Sequence, residues 1–321
     1  MTGWTTADVP DCSGRTALVT GASSGLGRET AVGLARAGAR VLLGCRDAAR
    51  GERALGTVLA AVPGAAVEVV PLDLAGLAAV RRAADDVAGR VAALDLLVAN
   101  AGVMALPRRT TVDGFELQIA TNHLGHAALA GLLLPRLLAA PAPRVVAVSS
   151  GAHRAGRLDL DDLHGERRYS RWGAYGQSKL ANLLFVLELQ RRADAAGWPL
   201  LAAAAHPGWA ATGLQGAAAR SSGGRVGEAL AGLANRLVAQ SAEAGAWPVL
   251  YAATMPDVLP ADYWGPGGPL EARGHPARAS RSRAALDADA ARRLWELTER
   301  LTGVRWPAGS CWRTSPSATR T

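Results

Sequence analysis

The chain has 321 residues, 49% of them hydrophobic and only 5% aromatic, with abundant alanine and glycine. That is enough to bury one large core of tightly packed helices on a sheet. The formal charge of +8 is spread over scattered arginines rather than gathered in a block, which argues against a nucleic-acid partner. Cys12, Cys45 and Cys311 are few, odd in number and far apart, so neither a disulfide framework nor a metal-ligand spacing emerges. The N-terminus lacks an apolar signal region, and the leucine-rich run at Leu129–Leu138 is short and broken by Pro135. A cytoplasmic protein without a membrane span is the expectation.

Six short apolar runs recur along the chain, at Ala17–Thr20, Arg40–Gly44, Val67–Val70, Leu94–Ala99, Arg144–Ser149 and Leu200–Ala205, with alanine-rich helical patterns between them. Uninterrupted Val/Leu/Ala runs indicate strands covered on both faces. Strand–helix alternation then predicts an α/β fold: one Rossmann-type, doubly wound parallel sheet of about seven strands. After Gly208 the stretch from Trp209 to Asn235 reads as a helical flap over the site. A helix is predicted over Ala242–Thr254, a short strand over Asp262–Trp264, a proline- and arginine-rich loop over Gly265–Arg283, and an amphipathic helix over Asp287–Leu301. Residues 1–15 form an extension, 16–306 one domain, and 307–321 a Pro/Ser/Thr-rich tail.

Each run ends in polar or glycine-rich residues, and ligands of open α/β sheets bind outside the carboxyl ends of the strands. The first end is Gly21-Ala-Ser23-Ser24-Gly25-Leu26-Gly27. In this setting Gly21 allows the tight turn, Gly25 close approach to a pyrophosphate, and Gly27 close helix–sheet packing. A helix opening near Leu26 adds free N–H groups and a positive dipole end. The second end, Cys45-Arg46-Asp47, offers a guanidinium to a ribose 2′-phosphate, which favours NADP(H). Asp47 beside it leaves NAD(H) open. Asp73 and Leu74, after the third run, suit the adenine edge, although an aspartate there is equally a helix cap. Asn100-Ala101-Gly102, Ser150 and His206-Pro207-Gly208 follow the fourth, fifth and sixth runs.

Lys179 is the sole lysine in a chain whose other strong cations are all arginine. It lies four positions after Tyr175, on the same face of a predicted helix. Such a cation lowers a phenol's pKa toward the working range, so that Tyr175 can give or take an alcohol proton, and the charge of oxidised nicotinamide adds to the effect. Ser150 is placed to hydrogen-bond the substrate oxygen. Asn122, in a helix beginning near Asp113, either holds a water that links Lys179 to solvent or is a buried, satisfied amide. His123 and His126 lack a suitably spaced carboxylate for a metal and read as packing or surface residues; His206 reads as structural.

These motifs together resemble the short-chain dehydrogenase/reductase family from about Thr16 to Val304. Its glycine motif matches Thr20–Gly27, its Asn-Ala-Gly motif Asn100–Gly102, and its Tyr-x-x-x-Lys motif Tyr175–Lys179. Its catalytic serine falls on Ser150, its active-site asparagine on Asn122, and its Pro-Gly-x-x-x-Thr motif on Pro207–Thr212. The resemblance implies that Pro207, Gly208 and Thr212 contact the nicotinamide carboxamide and diphosphate side of the cofactor. It also implies a dimer or tetramer. Two departures stand out: the family's doubled asparagine is Ala99-Asn100, and Ser24 replaces the basic residue common before the second glycine in NADP-preferring members. Gly44–Asp47, Asn122–His126 and a long segment between Ser150 and Tyr175 are similar to the branch of retinol dehydrogenases, protochlorophyllide reductases and the WW-domain oxidoreductase. That likeness implies an apolar alcohol or carbonyl as small-molecule substrate. The alternatives are a cofactor-binding regulator without turnover and a nucleotide-sugar epimerase or dehydratase.

Overall fold

The computed structural model describes residues 3–208 and 241–307. The chain alternates β1 (Thr16–Thr20), α1 (Gly25–Arg36), β2 (Arg40–Cys45), α2 (Ala48–Ala61), β3 (Val67–Pro71), α3 (Leu77–Arg90) and β4 (Leu96–Ala99). A broken helix follows, made of α4 (Leu117–Ile119), a π-helical turn at Ala120–Leu124 and α5 (Gly125–Leu138). Then come β5 (Arg144–Val148), α6 (Arg171–Ala196), β6 (Leu201–Ala205), α7 (Ala242–Thr254), β7 (Tyr263–Pro266), β8 (Pro276–Arg278) and α8 (Ala288–Thr302).

The eight strands form one sheet in the order β3-β2-β1-β4-β5-β6-β7-β8. All neighbours are parallel except β7 and β8, which pair antiparallel through Trp264–Arg278, Gly265–Ala277 and Pro266–Pro276. The strand order reverses between β1 and β4, which opens the crevice where such sheets bind ligands. Alternate side chains feed two cores. Leu18, Leu42, Leu97 and Val145 pack with α3, α5, α6 and α8 on one face. Val19, Leu43, Val98 and Val146 pack with α1 and α7 on the other. Among the described residues no helix is long and apolar enough to cross a membrane.

Two expectations need correction. Among the described residues the sheet has eight strands, and the eighth, β8, lies within the stretch expected to be loop. That stretch is ordered by ion pairs, Arg278 with Asp262 at 3.3 Å and Arg154 with Glu271 at 2.7 Å. The helix carrying Asn122 opens at Leu117, capped by Glu116, whereas the Asp113 carboxylate instead accepts from Leu77 N–H at 2.7 Å, at the start of α3. Thr212 and the expected flap from Trp209 to Asn235 lie outside the described residues.

Candidate active site

The turn after β1 is tight. Gly21 has φ +68° and Gly25 φ +55°, both left-handed values that favour glycine. A Cβ on Gly27 would fall 2.5 Å from Asn100 Nδ2 and 2.6 Å from Gly21 O. Ser24 opens α1 in extended conformation, but its hydroxyl caps none of the helix N–H groups. Those donors, with the dipole of a twelve-residue helix behind them, form a fitting phosphate cradle beside Ser23 and Leu26. Asn100 closes the crevice from the β4 side: its N–H reaches Thr20 Oγ1 at 2.9 Å and its Nδ2 reaches Thr20 O at 2.7 Å. Ala101 N–H shares the same Thr20 hydroxyl, also at 2.9 Å.

At the end of β2, Arg46 is exposed and Asp47 caps α2 by accepting from Arg50 N–H at 2.8 Å. The cap turns Arg50 back toward the glycine turn, where its Nη2 lies 3.3 Å from Ser24 Oγ. The fold thus restores a cation where the sequence has only Ser24, and sequence reasoning missed it. Asp73 accepts from Ala75 N–H at 3.0 Å in a local turn, which leaves its second oxygen for a ligand. Leu74 is buried against Gly125, so it supports the site through backbone and packing.

The reacting groups gather on α6 and at the end of β5. Tyr175 and Lys179 share one face, with the Lys179 ammonium 5.8 Å from the phenol ring centroid. Lys179 is buried, and among the described residues Val148 O, at 2.9 Å, is its one hydrogen-bond partner. An ammonium carries three protons, so two remain for a ligand such as ribose hydroxyls. Burial pulls Lys179 down to about 8. Burial also pushes the Tyr175 phenol up, partly offset by a hydrogen bond with Ser150. In the protein alone, the contribution that lowers the phenol comes from Ser150. Both groups lose solvation in the same crowded seam, and desolvation exceeds their mutual effect.

Of the two adjacent serines, Ser149 is committed to the Lys179 carbonyl at 2.8 Å, whereas Ser150 caps the turn Gly151–Ala155 and faces the phenol. The Asn122 amide is fully engaged. Its Oδ1 accepts from Val103 N–H at 2.8 Å, and its Nδ2 donates to Val103 O at 2.9 Å and Ser178 Oγ at 2.8 Å. The satisfied-amide alternative therefore describes the side chain, which staples the loop after β4 to α6. Any link from Asn122 to a water must use its backbone. Gly208, with φ +64°, turns the chain after β6 directly against the Ala272 carbonyl, and Pro207 lies beside it.

Sequence reasoning passed over His153 and Glu271. His153 donates from Nδ1 to the Ser150 carbonyl at 2.7 Å, and its Nε2 lies 3.3 Å from Ser282 N. Glu271 receives Arg154, Ser280 and His206. Burial pushes its carboxyl up, but the Ser280 and Arg154 donors outweigh that and hold it at about 2. A carboxylate in an apparent loop carries no sequence signal for such a role. The segment between Ser150 and Tyr175 lines a cavity of about 530 Å³ with Gly173, Ala174 and Gln177 of α6. Gly173 and Gln177 lie on the helix face opposite Tyr175.

A family model described as short chain dehydrogenase matches residues 15–222. The chain belongs to that family. Polyprenol dehydrogenase of Mus musculus is 42% identical over 303 residues, covering 92% of this chain and 86% of the relative. Retinol dehydrogenase 13 of Homo sapiens is 38% identical with the same two coverages, 92% and 86%. This short-chain dehydrogenase is therefore of the retinol dehydrogenase-like branch and an oxidoreductase of alcohol and carbonyl groups. Among solved structures, a protein from Mycobacterium paratuberculosis is 46% identical with a TM-score of 0.78, covering 95% of this chain and 100% of that one. The RhlG/NADP active-site complex of Pseudomonas aeruginosa is 26% identical with a TM-score of 0.62, covering 79% and 94%. Family membership and neighbours such as this NADP complex support binding of a nicotinamide cofactor.

Proposed function

We propose that this short-chain dehydrogenase uses NADP(H) to interconvert an apolar alcohol and its carbonyl compound. The nicotinamide, when bound, supplies or accepts the hydride. Tyr175 gives the proton to the nascent alkoxide or takes it from the alcohol. Ser150, at the end of β5 and facing the phenol, donates to the substrate oxygen as charge develops there. Lys179 holds ribose hydroxyls with its two uncommitted protons. Gly102 lets that ribose approach, since a Cβ there would sit 3.2 Å from Asn122 Oδ1 and 3.5 Å from Lys179 Nζ.

The observation that carries the reading is the convergence of Ser150, Tyr175 and a buried Lys179 beside an uncapped helix N-terminus. Preference for NADP(H) rests on Arg46, exposed at the end of β2, and on Arg50, whose Nη2 lies 3.3 Å from Ser24 Oγ of the glycine turn. Two arginines can pair with a 2′-phosphate dianion, whereas the nearby Asp47 is occupied in capping α2. An apolar substrate fits the exposed Trp172, whose ring stands edge-on to Tyr175 at 6.0 Å. The named activities of the polyprenol and retinol dehydrogenases point the same way.

The test is turnover of NADPH or NADH with a panel of aldehydes that includes retinal and long isoprenoid aldehydes. Oxidation of NADPH in preference to NADH, rising with aldehyde chain length, is expected, and Tyr175→Phe abolishes it. Full activity in that variant would remove Tyr175 from the chemistry. Equal rates with short polar aldehydes would overturn the apolar assignment.

A further inference from the structure

His126 lies one turn after Asn122, where the π-helical turn passes into α5, and it is 4% exposed. Its Nδ1 is 3.0 Å from the Asn122 carbonyl, and its Nε2 is 2.8 Å from Thr20 Oγ1. A carbonyl only accepts, so Nδ1 carries the proton and the neutral ring offers Nε2 as an acceptor. Thr20 Oγ1 spends its two lone pairs on the N–H groups of Asn100 and Ala101. Its single proton therefore goes to His126 Nε2, closer than the alternative Val98 carbonyl at 3.3 Å. Every polar atom of the cluster has one defined role. Protonating the ring would set two donors against each other at Thr20.

We propose that His126 is a positioning residue of the hydride-transfer reaction, joining the cofactor loops at Thr20 and Asn100–Gly102 to the backbone of Asn122. One end of the ring aims the Thr20 lone pairs and so orients the Asn100 and Ala101 peptides. The fit there is close, because a Cβ on Gly21 would lie 2.8 Å from Ala101 Cα. The other end holds the carbonyl of Asn122, whose amide is tied in turn to Ser178, the residue before Lys179. The imidazole therefore sets the spacing between the pyrophosphate turn, the ribose loop and the α6 pair. A π-helical turn supplies the offset that brings both ends within reach, a common use of such turns at functional sites.

The inference rests on the proposed NADP(H) reading; its affinity arm, NADPH binding read by fluorescence quenching, requires no substrate, and only its kinetic arm does. His126→Leu fills the space without polar atoms, His126→Gln keeps one donor and one acceptor, and His126→Asn reaches Asn122 but not Thr20. Losing a buried hydrogen bond of this kind predicts about tenfold weaker NADPH binding and about tenfold lower kcat for His126→Leu, mostly recovered in His126→Gln. His126→Asn separates the ends, with weaker NADPH binding and near-native kcat at saturating cofactor. Thr20→Val combined with His126→Leu loses no more affinity than the worse single variant, because both remove one link. A His126→Leu protein with native affinity and kcat and only a lower Tm would reduce His126 to a packing residue. If that variant does not fold, a His126→Asn protein with unchanged NADPH affinity overturns the proposal equally. Failure of every tested aldehyde, with the affinity pattern intact, would refute the substrate reading and leave His126 in place.

Discussion

At the scale of single residues, the site holds groups that the fold tolerates at a cost. Lys179 is wholly enclosed, with burial drawing it down to about 8. Keeping it charged at neutral pH costs on the order of 3 kcal/mol. Its folded value lies below its unfolded one, so stability rises as pH climbs from about 8 toward 10.5. Lys179→Met therefore raises Tm by several degrees at neutral pH while turnover disappears, which a thermal melt and an assay of one preparation would show. An unchanged or lower Tm would mean that the Val148 contact outweighs the desolvation. In the proposed NADP(H) reading, Arg46 and Arg50 act at the other end of the cofactor. Removing Arg46 or Arg50 should cut kcat/KM for NADPH by about tenfold to a hundredfold, the range for a hydrogen bond to a charged group, with NADH little affected. Parallel losses with both cofactors would place these arginines away from the 2′-phosphate.

At the scale of elements, the π-helical turn between α4 and α5 is the least regular piece of backbone near the chemistry. It is held from three directions: Asn122 to Val103, His126 to Thr20, and His123 to Thr298 of α8 at 3.0 Å. Gly125, at the start of α5, packs directly on the Leu74 carbonyl after β3. Gly125→Ala would drive a methyl into that backbone atom, and neither partner can rotate away. A loss of several kcal/mol is expected, above the usual ~1 kcal/mol of a point substitution, and denaturant unfolding checks it. The spacing of strands and helices was legible because their apolar runs and caps are local. The π turn was not, because an extra residue per turn leaves the apolar pattern nearly unchanged and is stabilised by partners far along the chain. The same holds for β8: Pro276, Ala277 and Arg278 carry no strand pattern and pair only because β7 already presents an edge.

At the scale of the molecule, the sheet gathers the glycine turn, Arg46, Asp73, Asn100–Gly102, Ser150 and Pro207–Gly208 at the carboxyl ends of β1 to β6. The packing that does so buries imidazoles in the neutral form. Burial holds His123 at about 3, and His126 and His206 at about 4, against an ordinary 6.5. The unfolded chain binds these protons first, so their contribution is complete above pH 6.5 and is lost as pH falls through 4. Three such groups give a slope of about 4 kcal/mol per pH unit near pH 5, measurable by urea unfolding across that range. A flat profile would mean that these rings are already solvated in the folded protein.

The sequence by itself determined the positions of β1 to β7, the glycine turn, and the candidates Ser150, Tyr175 and Lys179. All of these follow from patterns over a few residues, and Lys179 stands out further as the sole lysine of an arginine-based chain. Only the tertiary structure decided that Arg50 reaches Ser24, that Glu271 clamps the loops after β5 and β6, and that His126 bridges Thr20 and Asn122. It also decided that the Asn122 amide is a staple and that burial, not Lys179, dominates the phenol. Desolvation and hydrogen-bond valence depend on which distant segments close around a group, and neither quantity is written in local spacing.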